Sequence, residues 1–291
     1  MVTLLALGAA LAYGVADFLG GAVARRSTAL RALLWCVPAG LLLVLLATAL
    51  TGGTPSVPGL AWGFGAGLAG GTGLITFYRA LARGPMSVVA PVSALAAAIL
   101  PVAVGLLRGE KLDTNVILGV LLCLVAIGLV SMEKNDKKAE SATPDPGRGL
   151  LDSGPLMAGI SGACFGVFFI LLKQAGDGAG LWPLVAARTG NLVVIVAAFL
   201  FMARMGDTGP KVSGRFLIGL ALISGALDAS ANALYFLAVQ DGMLSLAAVL
   251  TSLYPAITVL LARVAYSERL RVVQQVGLAI AAAGVALVTV G

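Results

Sequence analysis

The sequence predicts an all-α polytopic membrane protein whose ten transmembrane helices form two inverted five-helix repeats. Three observations carry that expectation. Charged residues make up 11% of the 291 and apolar residues 59%, whereas soluble domains carry roughly 25% charged residues. The apolar residues gather in runs long enough to span a bilayer, and mean hydropathy is +1.02. The second half of the chain repeats the first. Such a composition excludes a soluble enzyme, a disordered tail and a nucleic-acid binder.

A hydrocarbon core of about 30 Å takes about 20 apolar residues in a helix. Breaks at charges and at Gly/Pro clusters place the helices at 2–22, 30–50, 60–82, 86–107, 113–132, 153–172, 182–204, 216–239, 243–265 and 272–290. Strands of a membrane barrel would alternate apolar and polar residues, and runs such as Leu41 to Leu46 do not. In the first segment, Ala22-Val23-Ala24 looks like a signal-peptide cleavage site. The segment lacks a basic start and is apolar throughout, so a retained helix is expected. In the third, Gly63, Gly67 and Gly71 form successive G-x-x-x-G steps, a spacing that lets helix backbones approach closely. No strand precedes them, which speaks against a nucleotide-binding glycine loop. Pro91, Pro101 and Pro255 fall inside helices 4 and 9, where each removes a backbone hydrogen bond and permits a kink. Pro91 and Pro255 are the candidate hinges.

The hydrophilic stretch Glu133 to Gly149 lies in a linker at 133–152, dividing a first repeat at 1–132 from a second at 153–291. A shift of 158 residues pairs Gly84 with Gly242, Ser87 with Ser245, Glu110 with Glu268 and Gly119 with Gly277. Tyr13-Gly14 similarly answers Phe165-Gly166, and Arg31 answers Arg188. Five helices per repeat is odd, so the second unit enters from the opposite side. Inverted repeats with a midplane site between them are an architecture of secondary transporters.

Of the 19 basic residues, Arg108, Lys111 and Lys173 fall on the side of the even-numbered loops and Arg188 within a helix. The rest crowd the odd-numbered loops and the linker. By the positive-inside rule that side is cytoplasmic, which puts both termini outside. Cys36, Cys123 and Cys164 sit in apolar runs and read as packing residues. With no histidine in the chain, His-based catalysis, metal ligation and pH sensing are excluded; neither cofactor nor metal is expected. H-E-x-x-H is therefore impossible, and no G-x-S-x-G or G-x-G-D pattern occurs, so an intramembrane enzyme is not expected.

Two five-helix repeats, each with a Gly/Ser-Glu-basic-Leu turn before its last helix, resemble the EamA-type transporters of the drug/metabolite transporter superfamily. The turns are Gly109-Glu110-Lys111-Leu112 and Ser267-Glu268-Arg269-Leu270. The family's proline thirteen residues before that Glu is matched by Pro255, while the first repeat has Ala97 there. The aromatic-Gly of the first helix and the Arg opening the second are similar to Tyr13-Gly14, Phe165-Gly166, Arg31 and Arg188. The resemblance implies a ten-helix transporter of small metabolites or drugs, often outward, in the cytoplasmic membrane of a prokaryote. It also implies cytoplasmic termini, the reverse of what the charges indicate. Asp17 departs from the family pattern, which is usually uncharged there.

An ionised side chain at the bilayer centre costs about 2.5–3.5 kcal/mol or more, so it persists when paired, hydrated or functional. Asp228, Asn232 and Tyr235 fall at i, i+4 and i+7 and so share one helix stripe. Tyr13 and Asp17 repeat the arrangement in helix 1. One reading makes Asp17 and Asp228 proton- or cation-coupling sites, with Asn232, Tyr235, Tyr13 and Tyr78 lining a substrate cavity and Arg188 as counter-ion or anion ligand. The other locks Asp17 or Asp228 permanently to Arg188 for packing. Arg79 reads as an interfacial snorkelling side chain, and Glu110 and Glu268 as structural turn charges. The expected partners are a small-molecule substrate, the lipid bilayer and a coupling proton, in a monomer or homodimer. The alternative functions are a lipid-carrier flippase and a non-transporting scaffold.

Overall fold

The computed structural model describes residues 1–83, 86–110, 113–130, 154–176, 178–206, 209–240, 242–266 and 272–290. Glu268 and its turn lie outside the described residues, as does the linker. The helices are α1 (Val2–Arg26), α2 (Ala29–Thr51), α3 (Val57–Arg83), α4 (Met86–Leu107), α5 (Thr114–Val130), α6 (Gly154–Gln174), α7 (Trp182–Arg204), α8 (Arg215–Gln240), α9 (Leu244–Thr251), α10 (Tyr254–Tyr266) and α11 (Val272–Val290). Among the described residues there is no strand. Among the described residues, six helices (α1, α2, α3, α6, α7 and α8) are long and apolar enough to cross a membrane. The remaining apolar stretches are shorter.

Local chemistry sets several of the helix ends. Thr28 accepts the Arg31 N–H at 3.3 Å and opens α2. Ser56 does the same for Gly59 at 3.2 Å before α3. Each satisfies one of the donors that a helix N-terminus leaves unpaired. Pro183 stands in the first turn of α7, where its missing N–H is of no consequence. The three cysteines are free thiols.

The helix expected over 243–265 is two helices, separated by a turn at Ser252–Leu253. Pro255 explains the break. It has no N–H to give the carbonyl of Thr251, four residues back, and its ring crowds that carbonyl. Thr251 is accordingly the last residue of α9. The expected hinge proline thus stands at the opening of α10 rather than within a kinked helix. In the first repeat, α4 runs continuously from Met86 to Leu107 through both Pro91 and Pro101.

The halves interlock rather than sit side by side. The largest contacts join α1 to α8 and α3 to α6, α3 to α7 and α2 to α8, α4 to α6 and α1 to α9 and α10, while α5 pairs with α11. Exchanging the two repeats maps these contacts onto one another. Lipid tails give no hydrophobic drive to helix association, so close backbone approach carries the packing. Gly63, Gly67 and Gly71 all face α7, against Pro183, Ala187 and Asn191. From the α7 side, a Cβ on Gly190 would lie 2.6 Å from the Phe64 carbonyl oxygen and 3.0 Å from Gly67 Cα. The aromatic-Gly pairs do related work. Gly14 lies against Tyr254 and Ile257 of α10, and Gly166 against Ala97 and Leu100 of α4.

Candidate functional site

Where the two repeats meet, near the middle of the helices, they enclose a cavity of about 520 Å³ including its mouth. The first repeat lines it with Tyr13 and Asp17 of α1, Gly70 and Leu74 of α3 and Ala97 of α4. From the second come Phe165, Phe168 and Phe169 of α6, Asn191 of α7, Asp228 and Asn232 of α8 and Tyr254 of α10. The aromatic-Gly pairs set the walls, because each glycine brings a neighbouring helix in and leaves the preceding ring, Tyr13 or Phe165, at the cavity.

Asp228 is paired. Its Oδ2 accepts from Arg188 Nη1 at 2.5 Å, with the Arg188 side chain 2% exposed and that of Asp228 18%. A buried pair of this kind needs further hydrogen bonds to offset desolvation, yet Arg188 Nη2 has no partner among the described residues. Asn232, one turn along α8, donates its Nδ2 to the Asp228 backbone carbonyl at 2.7 Å. The short Asp228 side chain is thus fixed between an arginine behind it and an amide beside it.

Asp17 is different. It lines the same cavity at 9% exposure, and among the described residues nothing forms an ion pair or hydrogen bond with it. Tyr13 lies one turn away, its ring 6.1 Å from that of Tyr254 at an interplanar angle of 58°. Tyr254 in turn donates its hydroxyl to the Ala90 carbonyl at 3.5 Å. Phe168 and Phe169, also in the lining, meet edge to face at 5.5 Å.

The candidates therefore separate. Tyr13, Asp17, Asp228 and Asn232 share the cavity, and Arg188 stands behind it as the Asp228 partner. Tyr235 is not a lining residue. It is fully buried behind Phe169, with ring centroids 4.3 Å apart and its hydroxyl without a partner among the described residues. Tyr78 is also buried away from the cavity, its ring against Gly20, where a Cβ would lie 2.7 Å from Tyr78 Cζ and 2.8 Å from Ser224 Oγ. Both tyrosines face the helix–helix core, Tyr235 despite its place on the Asp228–Asn232 stripe. Arg79 is half-buried and reaches Met202 Sδ at 3.9 Å. Asn191, Phe168, Phe169 and Tyr254 were not foreseen. Asn191 lies three residues beyond Arg188, one turn along the same face, and that spacing was the available signal. Its Oδ1 is buried with no partner among the described residues.

Glu110 reaches well beyond its own turn. Its carboxylate accepts the Leu244 N–H at 2.8 Å, the Ser245 N–H at 3.2 Å and the Ser245 hydroxyl at 2.6 Å. A charge from the first repeat so caps the N-terminus of α9 in the second, where anions are favoured by the helix dipole. On the same side of the molecule, Lys173 Nζ donates to the carbonyls of Val239 and Gly242, satisfying the end of α8. Trp182 Nε1 donates to the Gly53 carbonyl at 3.0 Å.

The sequence matches the model of the EamA-like transporter family over residues 1–132 and 152–290. No curated protein matches it. The fold is similar to that of a protein solved by crystallography, with a TM-score of 0.68 and 21% identity over 99% of this chain and 96% of that one. The chain, a multi-pass membrane protein matched over both repeats, belongs to the EamA-like transporter family, within the drug/metabolite transporter superfamily.

Proposed function

We propose that the chain is a secondary active transporter that moves small metabolites or drugs outward across the cytoplasmic membrane of a prokaryote. In this reading ten membrane passes form two inverted repeats, which rock about the cavity between them to expose it alternately to each side. The observation that carries the reading is the cavity itself, built from both repeats and holding a buried acid, Asp17, that no described residue pairs. An unpaired intramembrane acid is a functional-site hypothesis by default. We assign Asp17 to proton or solute coupling, and Asp228 with Arg188 to holding α7 and α8 together at the cavity wall. The contacts of Glu110, Lys173 and Trp182 close one face, and the break between α9 and α10, with Pro91 in the related helix, supplies compliance. The charge bias favours termini outside.

Reconstitution into liposomes tests the class. Uptake or release of small labelled solutes above that of protein-free vesicles is expected. Scrambling of labelled lipid with no solute flux would instead indicate a lipid flippase, and neither activity would leave only a scaffold.

A further inference from the structure

We infer that the cavity selects an organic cation, a primary ammonium carried on a flat aromatic or apolar body; the inference rests on the cavity being the transport site. Three features of its walls converge. The first is charge. Of the two acids in the lining, Asp228 is neutralised by Arg188, which itself stays behind the wall. Asp17 is left as a buried acid with no cation partner among the described residues. A solute that brings one positive charge supplies the missing partner at a depth where a lone charge is unfavourable.

The second is hydrogen-bond polarity. Asn232 spends one of its two N–H donors on the Asp228 carbonyl and keeps its side-chain oxygen to offer as an acceptor. Asn191 Oδ1 is buried and without a partner among the described residues. Tyr254 directs its proton to Ala90. The lining thus keeps acceptors at Asp17, Asn232 and Asn191, which suit a donor such as –NH3⁺, with three donors and no acceptor. A carboxylate or phosphate would bring a further acid beside Asp17 and acceptors facing acceptors around it.

The third is shape. Tyr13, Tyr254, Phe165 and Phe168 all line the cavity, so the body of the solute meets aromatic rings. Ring faces attract a cation held near them, and apolar lining with a few placed polar groups is how small-molecule sites gain specificity.

A series with one ring and four head groups tests the charge directly: phenethylamine, its trimethylammonium form, phenethyl alcohol and hydrocinnamate. Binding to the purified full-length chain in nanodiscs is measured by titration calorimetry. The expected order is amine first, with the alcohol and the carboxylate weaker by at least about tenfold, the scale of losing one partner of a buried charge pair. The trimethylammonium form, which keeps the charge but loses the donors, should fall between. Asp17→Asn should abolish the preference for amine over alcohol and Asp17→Glu should keep it. The unmutated chain's series decides the matter even where Asp17→Asn fails to fold. Equal or tighter binding of the alcohol or carboxylate overturns the inference, as does binding of none of the four. Flux of neutral or anionic solutes by the same protein would then leave the transporter reading standing. Amine binding with no flux of any solute would do the opposite.

Discussion

Arg188 on α7 and Asp228 on α8 form a partly buried ion pair, Nη1 to Oδ2 at 2.5 Å, and this pairing is what distinguishes the two acids of the cavity. It occupies Asp228 and leaves Asp17, on the facing helix, as the acid open to a solute.

Breaking the pair from one side should be worse than removing it. Arg188→Met leaves Asp228 as an uncompensated buried charge and should cost about 3–5 kcal/mol. The double variant Arg188→Met with Asp228→Leu should recover most of that loss. Melting temperatures of the purified variants in one detergent check this, and a double variant no better than the single would count against a pair that acts as a unit.

Glu110→Gln removes the charge that caps α9 while keeping its size. A loss of about 1–2 kcal/mol is expected, the usual scale of an N-cap or charge-assisted hydrogen bond. The effect should be local. Amide hydrogen exchange should quicken at Leu244 and Ser245 while α3 and α7 keep their protection.

Gly190→Leu places a side chain where the nearest Phe64 carbonyl oxygen is 2.6 Å from a Cβ. Both neighbours are backbone, so the helices must separate, and the variant should be destabilised by about 1–3 kcal/mol or more. A melting temperature equal to wild type would contradict the close approach of α3 and α7.

Pro255→Ala restores the N–H that could join α9 to α10 through Thr251. Solute binding in the cavity should survive this change while flux slows, since the break is assigned to motion rather than recognition. Calorimetry and liposome flux on the same preparation separate the two effects.

Helix spacing was enough to read the Asp228–Asn232 stripe and the Tyr13–Asp17 pair, because i and i+4 share a face whatever surrounds them. The same rule put Tyr235 with them, and Tyr78 was expected at the cavity as well, but both lie in the helix–helix core. In a bilayer, lipid, helix interface and cavity wall are all lined by apolar residues, so a tyrosine's face cannot be assigned from the apolar pattern alone. Arg188 stood out as a charge in an apolar helix, but which acid it meets depends on the packing of α7 against α8. Phe168 and Phe169 carry no mark that separates them from lipid-facing phenylalanines. Glu110 was legible as a turn residue, whereas its partners lie across the repeat boundary, at Leu244 and Ser245. Pro255 announced a disturbance in the ninth segment without indicating that Thr251 would end a helix.

The central claim is that Asp17 serves the transported solute. Its most direct test is the initial rate of solute exchange in liposomes holding equal amounts of folded wild-type, Asp17→Asn and Asp17→Glu chains. The account predicts a fall of at least about tenfold for Asp17→Asn, the scale of removing one member of a buried charge contact, with partial recovery in Asp17→Glu. An exchange rate in Asp17→Asn equal to that of wild type would contradict it.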